Sequence, residues 1–181
     1  TLIGEREVSH NGRVMPAAEA LEAAKLGPIE LRPKESLALM NGTSVMTGLA
    51  CIAYERSRRV ARWAASLTAM ASDVLHGNRG HFDDRIFAAK PHPGQRHCAR
   101  WIASDIEYET NGKHHNGRIQ DRYSVRCAPH VIGVLMDSLP FIRSLVETEI
   151  NSSNDNPLLD AETGDVLHGG NFYGGHPCMA M

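Results

Sequence analysis

The sequence predicts a mainly α, bundle-like fold with one small N-terminal β-hairpin and loops rich in Gly and Asn. Three observations predict it. From Thr43 to His76 nothing interrupts a helical pattern, and Val45, Leu49, Ile52, Val60, Trp63, Leu67, Met70 and Val74 recur at three- or four-residue intervals. A second stretch, Ala128 to Ile150, is largely apolar and of helical length. Strand signals are confined to "REVSHNGRVMP" near the start and "GDVLHGG" in the tail.

Taken in order, residues 5–15 predict a hairpin, because Asn11-Gly12 tolerates the positive φ that a two-residue turn needs. "PAAEALEAAKLG" predicts a short helix after Pro16, closed by Gly27 as its C-terminal cap. "PKESLALM" predicts a second, with Pro33 in its first turn, running to Asn41-Gly42. The long helix over about 43–76 follows and would measure about 50 Å. A chain of 181 residues folds to a body hardly wider than that, so the rod needs partner helices from elsewhere. Its stripe reads as core packing, and its Ala residues and Gly48 would let partner helices come close.

"HGNRGHFDDR" reads as a turn, and a further helix begins at Pro93 in "PHPGQRHCARWIASDIEYE". A polar linker, "TNGKHHNGR", precedes "GRIQDRYSVRCAPH", after which Ala128–Ile150 predicts a third long helix that Pro140 kinks or splits. Residues 151–176 form the Asn-, Gly- and Pro-rich tail. Thr1 and Met181 both read as cut ends, so residues 1–181 are expected to be a single partial domain, an internal piece of a longer chain.

Several function classes recede on composition. A net charge of −2 gives no overall basic field to attract nucleic acid or an anionic membrane surface, and "YERSRRVAR" reads as a solvated helix face. The four cysteines are widely spaced, without a C-x-x-C pair, as expected of reduced cytoplasmic thiols. Ten histidines include "KHHN" but no H-E-x-x-H or H-x-x-x-H pattern, so no metal site is expected. No run approaches the ~20 apolar residues of a membrane span.

Three phrases are too polar or too Gly-rich for plain scaffolding. "ALMNGTS" sets Asn41-Gly42 between helical stretches, where a C-cap followed by an N-cap at Thr43 is the simplest reading. In "QDRYSVR", Gln120, Tyr123 and Arg126 sit three positions apart, the spacing that keeps side chains on one side of a helix. Arg offers a planar fork matched to a carboxylate, Tyr can relay a proton, and Gln can hold an amide or carbonyl. An Arg126 paired with a neighbouring carboxylate and a gap-filling Tyr123 would instead be structural. In the tail, Asn151, Asn154, Asp155 and Asn156 before Pro157 predict a tight, self-bonded turn. "GGNFYGG" holds Phe172 among glycines that allow close backbone approach.

"NGTSVMTG", "KPHPGQ", "QDRYSVRCAP", "INSSNDNPL" and "GGNFYGG" occur in the order found in the aromatic amino acid ammonia-lyases. Over essentially its whole length the sequence resembles the histidine, phenylalanine and tyrosine ammonia-lyases and the related 2,3-aminomutases. In that family an internal Ala-Ser-Gly cyclises to 4-methylideneimidazole-5-one (MIO), an electrophile made from backbone. No Ala-Ser-Gly occurs here, so the resemblance implies that the electrophile, the lid tyrosine and the ring-selecting residues lie outside these residues. The chain alone is then expected to be inactive.

The resemblance also implies roles. Asn41 would hydrogen-bond near the prosthetic ring and the substrate amine, and Gln120 and Tyr123 would line its surroundings, Tyr123 assisting proton movement. Arg126 would take the substrate carboxylate, and Phe172 would pack beside the ring. It implies a cytoplasmic homotetramer whose sites draw on several subunits. The activity expected is elimination of ammonia from an aromatic L-amino acid to give an aryl acrylate. An aminomutase is the nearest rival, a non-catalytic helical assembly module is a reading of another class, and a fumarase-like lyase fits less well.

Overall fold

A computed structural model describes residues 1–106 and 118–181. "KHHN" and most of the linker lie outside the described residues. The chain forms two compact units: Thr1–Gly42 with Asp155–Phe172, and Thr43–Asn154 with Tyr173–Met181.

In the first unit, β1 (Glu7–His10) and β2 (Arg13–Pro16) pair antiparallel, with Val8 opposite Met15 and His10 opposite Arg13. Asn11 and Gly12 both take positive φ, +51° and +76°, as the two-residue turn requires. Helix α1 (Ala17–Ala23) follows at once and buries Ala17 and Ala20. Its end differs from expectation. Lys25, at φ 59°, takes the left-handed position, its N–H bonding to the Glu22 carbonyl and that of Leu26 to the Leu21 carbonyl. This paired closure stops the helix two residues before Gly27 can cap it.

Helix α2 (Glu35–Asn41) starts two residues after Pro33, not with Pro33 in its first turn. Lys34 at φ 73° breaks the path, and Glu35 reaches back to accept the Arg32 N–H at 2.7 Å. Late in the chain β3 (Leu158–Leu159) pairs antiparallel with β4 (Val166–Leu167), the strand-like piece expected of the tail.

The second unit is helical. Helix α3 (Ser44–Val74) runs 31 residues without a break. A 3₁₀ turn (Arg79–Phe82) lies within the expected turn, but a short helix, α4 (Asp84–Ala89), then starts under an Asp83 cap. The sequence reading did not contain it. Helix α5 (Pro93–Asp105), helix α6 (Tyr123–Arg126), helix α7 (Ala128–Ile150) and helix α8 (Gly175–Ala180) complete the unit. Helix α7 continues through Pro140 unsplit. Pro140 is exposed, so the carbonyl it leaves without a helical donor can turn to water.

Helices α3, α5 and α7 pack on one another around Ala65, Ala69, Cys98, Ile102 and Ala128. Helices α5 and α7 touch at glycines: a Cβ on Gly133 would lie 2.6 Å from the Gln95 nitrogen, and one on Gly94 would lie 2.4 Å from the Gly133 carbonyl oxygen. There Asp137 of α7 accepts the Gly94 N–H at 2.6 Å, satisfying one of the free donors at the start of α5.

The stripe read as core on α3 is not core in this chain. Val45, Leu49, Ile52, Val60, Trp63, Leu67, Met70 and Val74 are all at least half exposed, from 51% at Ile52 to 79% at Val74. Thr47, Ala50, Ala61, Ala65, Ala69 and Ser72, on the opposite side, are buried. The physical reason is distance: neighbouring helices close enough to exclude water leave room only for small side chains, and the large ones point away. The membrane expectation also needs correction. It holds for uninterrupted apolar runs, but Glu35–Val74, which takes in α2 and α3, and Tyr123–Ile150, which takes in α6 and α7, are by length and composition long and apolar enough to cross a membrane. Glu55 with Arg58 and Arg59 puts an ion-paired cluster in the middle of α3, which hydrocarbon would have to take up.

Candidate active site

In the helical unit, Tyr123 opens α6 and Arg126 closes it. The guanidinium carbon of Arg126 lies 5.4 Å from the Tyr123 ring centroid, a cation–π contact. Arg126 Nε donates to the Asp121 carbonyl at 3.2 Å and Nη1 to Cys127 Sγ at 3.5 Å. Among the described residues its Nη2 has no partner and Arg126 does not pair with a carboxylate. Tyr123 is 71% exposed and borders an open apolar depression of about 190 Å³ with Cys127, Ala128, Val131 and Ile132.

Gln120 does not share a helix with them. It lies in a bend, because Arg122 is extended (φ −55°, ψ 142°) and the helix begins only after it. Regular three-residue spacing presupposes a continuous helix, and Asp121 prevents one by turning inward. Its carboxylate accepts the Asn78 N–H at 2.5 Å, and its own N–H donates to His81 Nε2 at 3.0 Å. The Gln120 side chain is exposed and has no hydrogen-bond partner among the described residues.

Asn41 and Phe172 belong to the other unit. Asn41 ends α2 with its carboxamide exposed and unpartnered among the described residues. Gly42 follows in extended conformation and donates to the Ala38 carbonyl at 2.9 Å. A Cβ there would meet that oxygen at 2.5 Å, so the turn out of α2 needs a glycine. The loop bearing Phe172 is pinned by Asn156, whose Oδ1 accepts the Gly169 N–H at 2.8 Å. Asp155 accepts the Asn156 N–H and pairs with Lys34 at 2.9 Å, and Lys34 also donates to the Pro157 carbonyl. The Lys34 ammonium, then the Asn156 N–H, hold the Asp155 carboxyl below its ordinary range. Phe172 keeps 44% of its surface exposed.

Thr43 occupies the N-cap position of α3, but its hydroxyl donates to the buried Glu149 carboxylate at 2.6 Å rather than capping the helix. Asp121, His81 and Glu149 are polar groups that the sequence reading missed. Only the acid at the end of apolar α7 could have drawn notice to Glu149. Among the described residues, no group of three or more His, Cys, Asp or Glu could hold a metal ion.

The family model for aromatic amino acid lyases matches residues 1–181. The chain belongs to the aromatic amino acid lyase family. It is 40% identical over 187 aligned residues to a histidine ammonia-lyase of Rattus norvegicus, covering 99% of this chain and 28% of that protein. It is 41% identical over 181 residues to the histidine ammonia-lyase of Gloeobacter violaceus, covering 99% and 35%. Among solved structures, the phenylalanine aminomutase of Pantoea agglomerans superposes with a TM-score of 0.79 at 34% identity, covering 99% of this chain and 38% of that one. The long-helix architecture is thus that of the ammonia-lyase fold, and the chain spans about a third of the length of these lyase relatives.

Proposed function

We propose that this chain is part of an ammonia-lyase that eliminates ammonia from an aromatic L-amino acid, L-histidine first, to give the imidazolyl acrylate. The observation that carries the reading is Arg126, set against the Tyr123 ring with its Nη2 edge uncommitted. The lyase relatives' names supply the choice of histidine, and their greater length supports reading residues 1–181 as an internal part of a longer chain.

MIO would come from a segment outside this sequence. The donors of the helical unit fit such a group: the Gln120 carboxamide, without a hydrogen-bond partner among the described residues, and the exposed Tyr123 phenol suit a polar, carbonyl-bearing heterocycle and an α-amino acid. When bound, the group supplies the electrophile that makes the amine a leaving group. Arg126 holds the carboxylate. Its Nε is committed to the Asp121 carbonyl, so the grip is end-on through Nη1 and Nη2. Tyr123 moves a proton at its phenol oxygen and Gln120 holds the substrate through its carboxamide. Asn41 and Phe172, on the other unit, keep the roles that the resemblance gives them, a carboxamide near the amine and an aromatic ring beside the heterocycle.

The uncovered face of α3 supports assembly as a homotetramer. Four free thiols support a cytoplasmic setting, and the net charge of −2 supports a reading with neither nucleic acid nor an anionic membrane surface as partner. The aminomutase reading keeps a place because a solved relative at 34% identity bears that name. The test is to incubate the complete protein with L-histidine and analyse the products. Imidazolyl acrylate plus ammonia supports the lyase, a β-amino acid the aminomutase, and no reaction with L-histidine removes histidine as substrate. The isolated chain should be inert throughout.

A further inference from the structure

We propose that His81 and Asp121 are positioning residues for Arg126, fixing the direction in which the guanidinium faces. The proposal rests on the reading that Arg126 grips a carboxylate. Hydrogen bonds from three directions reach Asp121, which is 8% exposed, and its Oδ2 also lies 3.7 Å from His81 Nε2. Its carbonyl takes Arg126 Nε at 3.2 Å, its N–H donates to His81 Nε2 at 3.0 Å, and its carboxylate takes the Asn78 N–H at 2.5 Å. Asn78 in turn caps the 3₁₀ turn carrying His81, its Oδ1 accepting the Gly80 N–H at 2.8 Å.

Asp121, whose carbonyl orients Arg126, is therefore held at its N–H and at its carboxylate by residues 78–81, far away in sequence. His81 Nε2 contributes here as a hydrogen-bond acceptor. Without that acceptor the φ and ψ of Asp121 are less restrained, and the carbonyl holding Nε, which lies in the next peptide, loses its fixed direction. The clamp would remain, aimed less well. The expected loss is therefore one of preference for a carboxylate rather than of the fold.

The experiment uses the complete enzyme and two unreactive probes, 3-(imidazol-4-yl)propanoate and 4-ethylimidazole, which differ by the carboxylate and lack the amine. Their dissociation constants are measured by calorimetry. In His81→Met, which keeps bulk but lacks a comparable acceptor, the preference for the acid should fall about fivefold. His81→Gln, with an oxygen near the place of Nε2, should restore it. At the other end, Asp121→Ala should lower the preference and Asp121→Asn, which still accepts from Asn78, should keep most of it. Arg126→Ala is measured alongside and should lower it at least about thirtyfold. An intact preference in folded His81→Met or folded Asp121→Ala overturns the positioning role. An intact preference in Arg126→Ala overturns the clamp itself, so the two failures are distinct.

Discussion

Helices α5 and α3 meet the same core, yet they leave opposite kinds of side chain uncovered. Helix α5 turns Cys98 and Ile102 fully inward and leaves Arg96 and Arg100 to pair with Asp84 at the surface. Helix α3 turns alanines inward and leaves Trp63, Leu67 and Met70 uncovered. An apolar stripe says that a face wants cover. It does not say that the same chain supplies it. The inward face is chosen by how near the neighbours come, and at close range an alanine excludes water as well as a leucine would.

The largest test of that comparison is at the closest approach. Gly133→Ala drives a Cβ into the α5 backbone, 2.6 Å from the Gln95 nitrogen, where no flexible side chain can yield. Unfolding of the complete protein in denaturant should show a loss of about 3 kcal/mol. A loss under 0.5 would mean that α5 and α7 do not meet at these glycines. Next is Ala65→Leu, at a fully buried position of α3. It should cost about 2 kcal/mol by overpacking, whereas Leu67→Ser on the outer face should change subunit stability by less than about 0.5. The outer substitution should instead weaken association, read as a lighter species by sedimentation. Equal stability losses at both positions would erase the distinction between the faces.

The smallest effect is chemical. Burial beside α3 pushes the Cys98 thiol up to about 12, whereas Cys178 is exposed. Raised in the folded state, this thiol contributes stability that is complete below its unfolded value of about 8.5 and is lost as pH rises through about 12. At pH 8 a thiol reagent should therefore label Cys178 quickly and Cys98 only after denaturant is added. Matching rates in folded protein would place Cys98 outside the core.

Much of this was legible in the residues. Asn11-Gly12 fixed the hairpin turn, and uninterrupted helical patterning marked α3 and α7. What escaped depends on contacts far apart in sequence. Asp121 breaks the helix that would have carried Gln120 because Asn78 and His81 bind it, and no local pattern announces those partners. Lys25 displaced Gly27 as the end of α1 because a paired closure formed two residues early, at the strain of a non-glycine residue with positive φ. The short spans of α4 and α6 offer too few turns for a period to show. Of the proposed site, Tyr123 and Arg126 do come together, as their spacing within one turn predicts.

Because the smaller unit joins Thr1–Gly42 to Asp155–Phe172, its order of manufacture differs from its order in space. On the ribosome residues 1–42 emerge with only their own hairpin and α1 to pair, and wait for Asp155–Phe172 while residues 43–154 are made. Lys34 has neither Asp155 nor the Pro157 carbonyl to hold until then. The helical unit, whose contacts are mostly completed sooner, is free to form first. Its assembly brings the two distant ends within reach and removes much of the entropy cost of closing so long a loop. Translation that stops just before Asp155 should therefore leave a largely helical intermediate in which residues 1–42 remain open to protease.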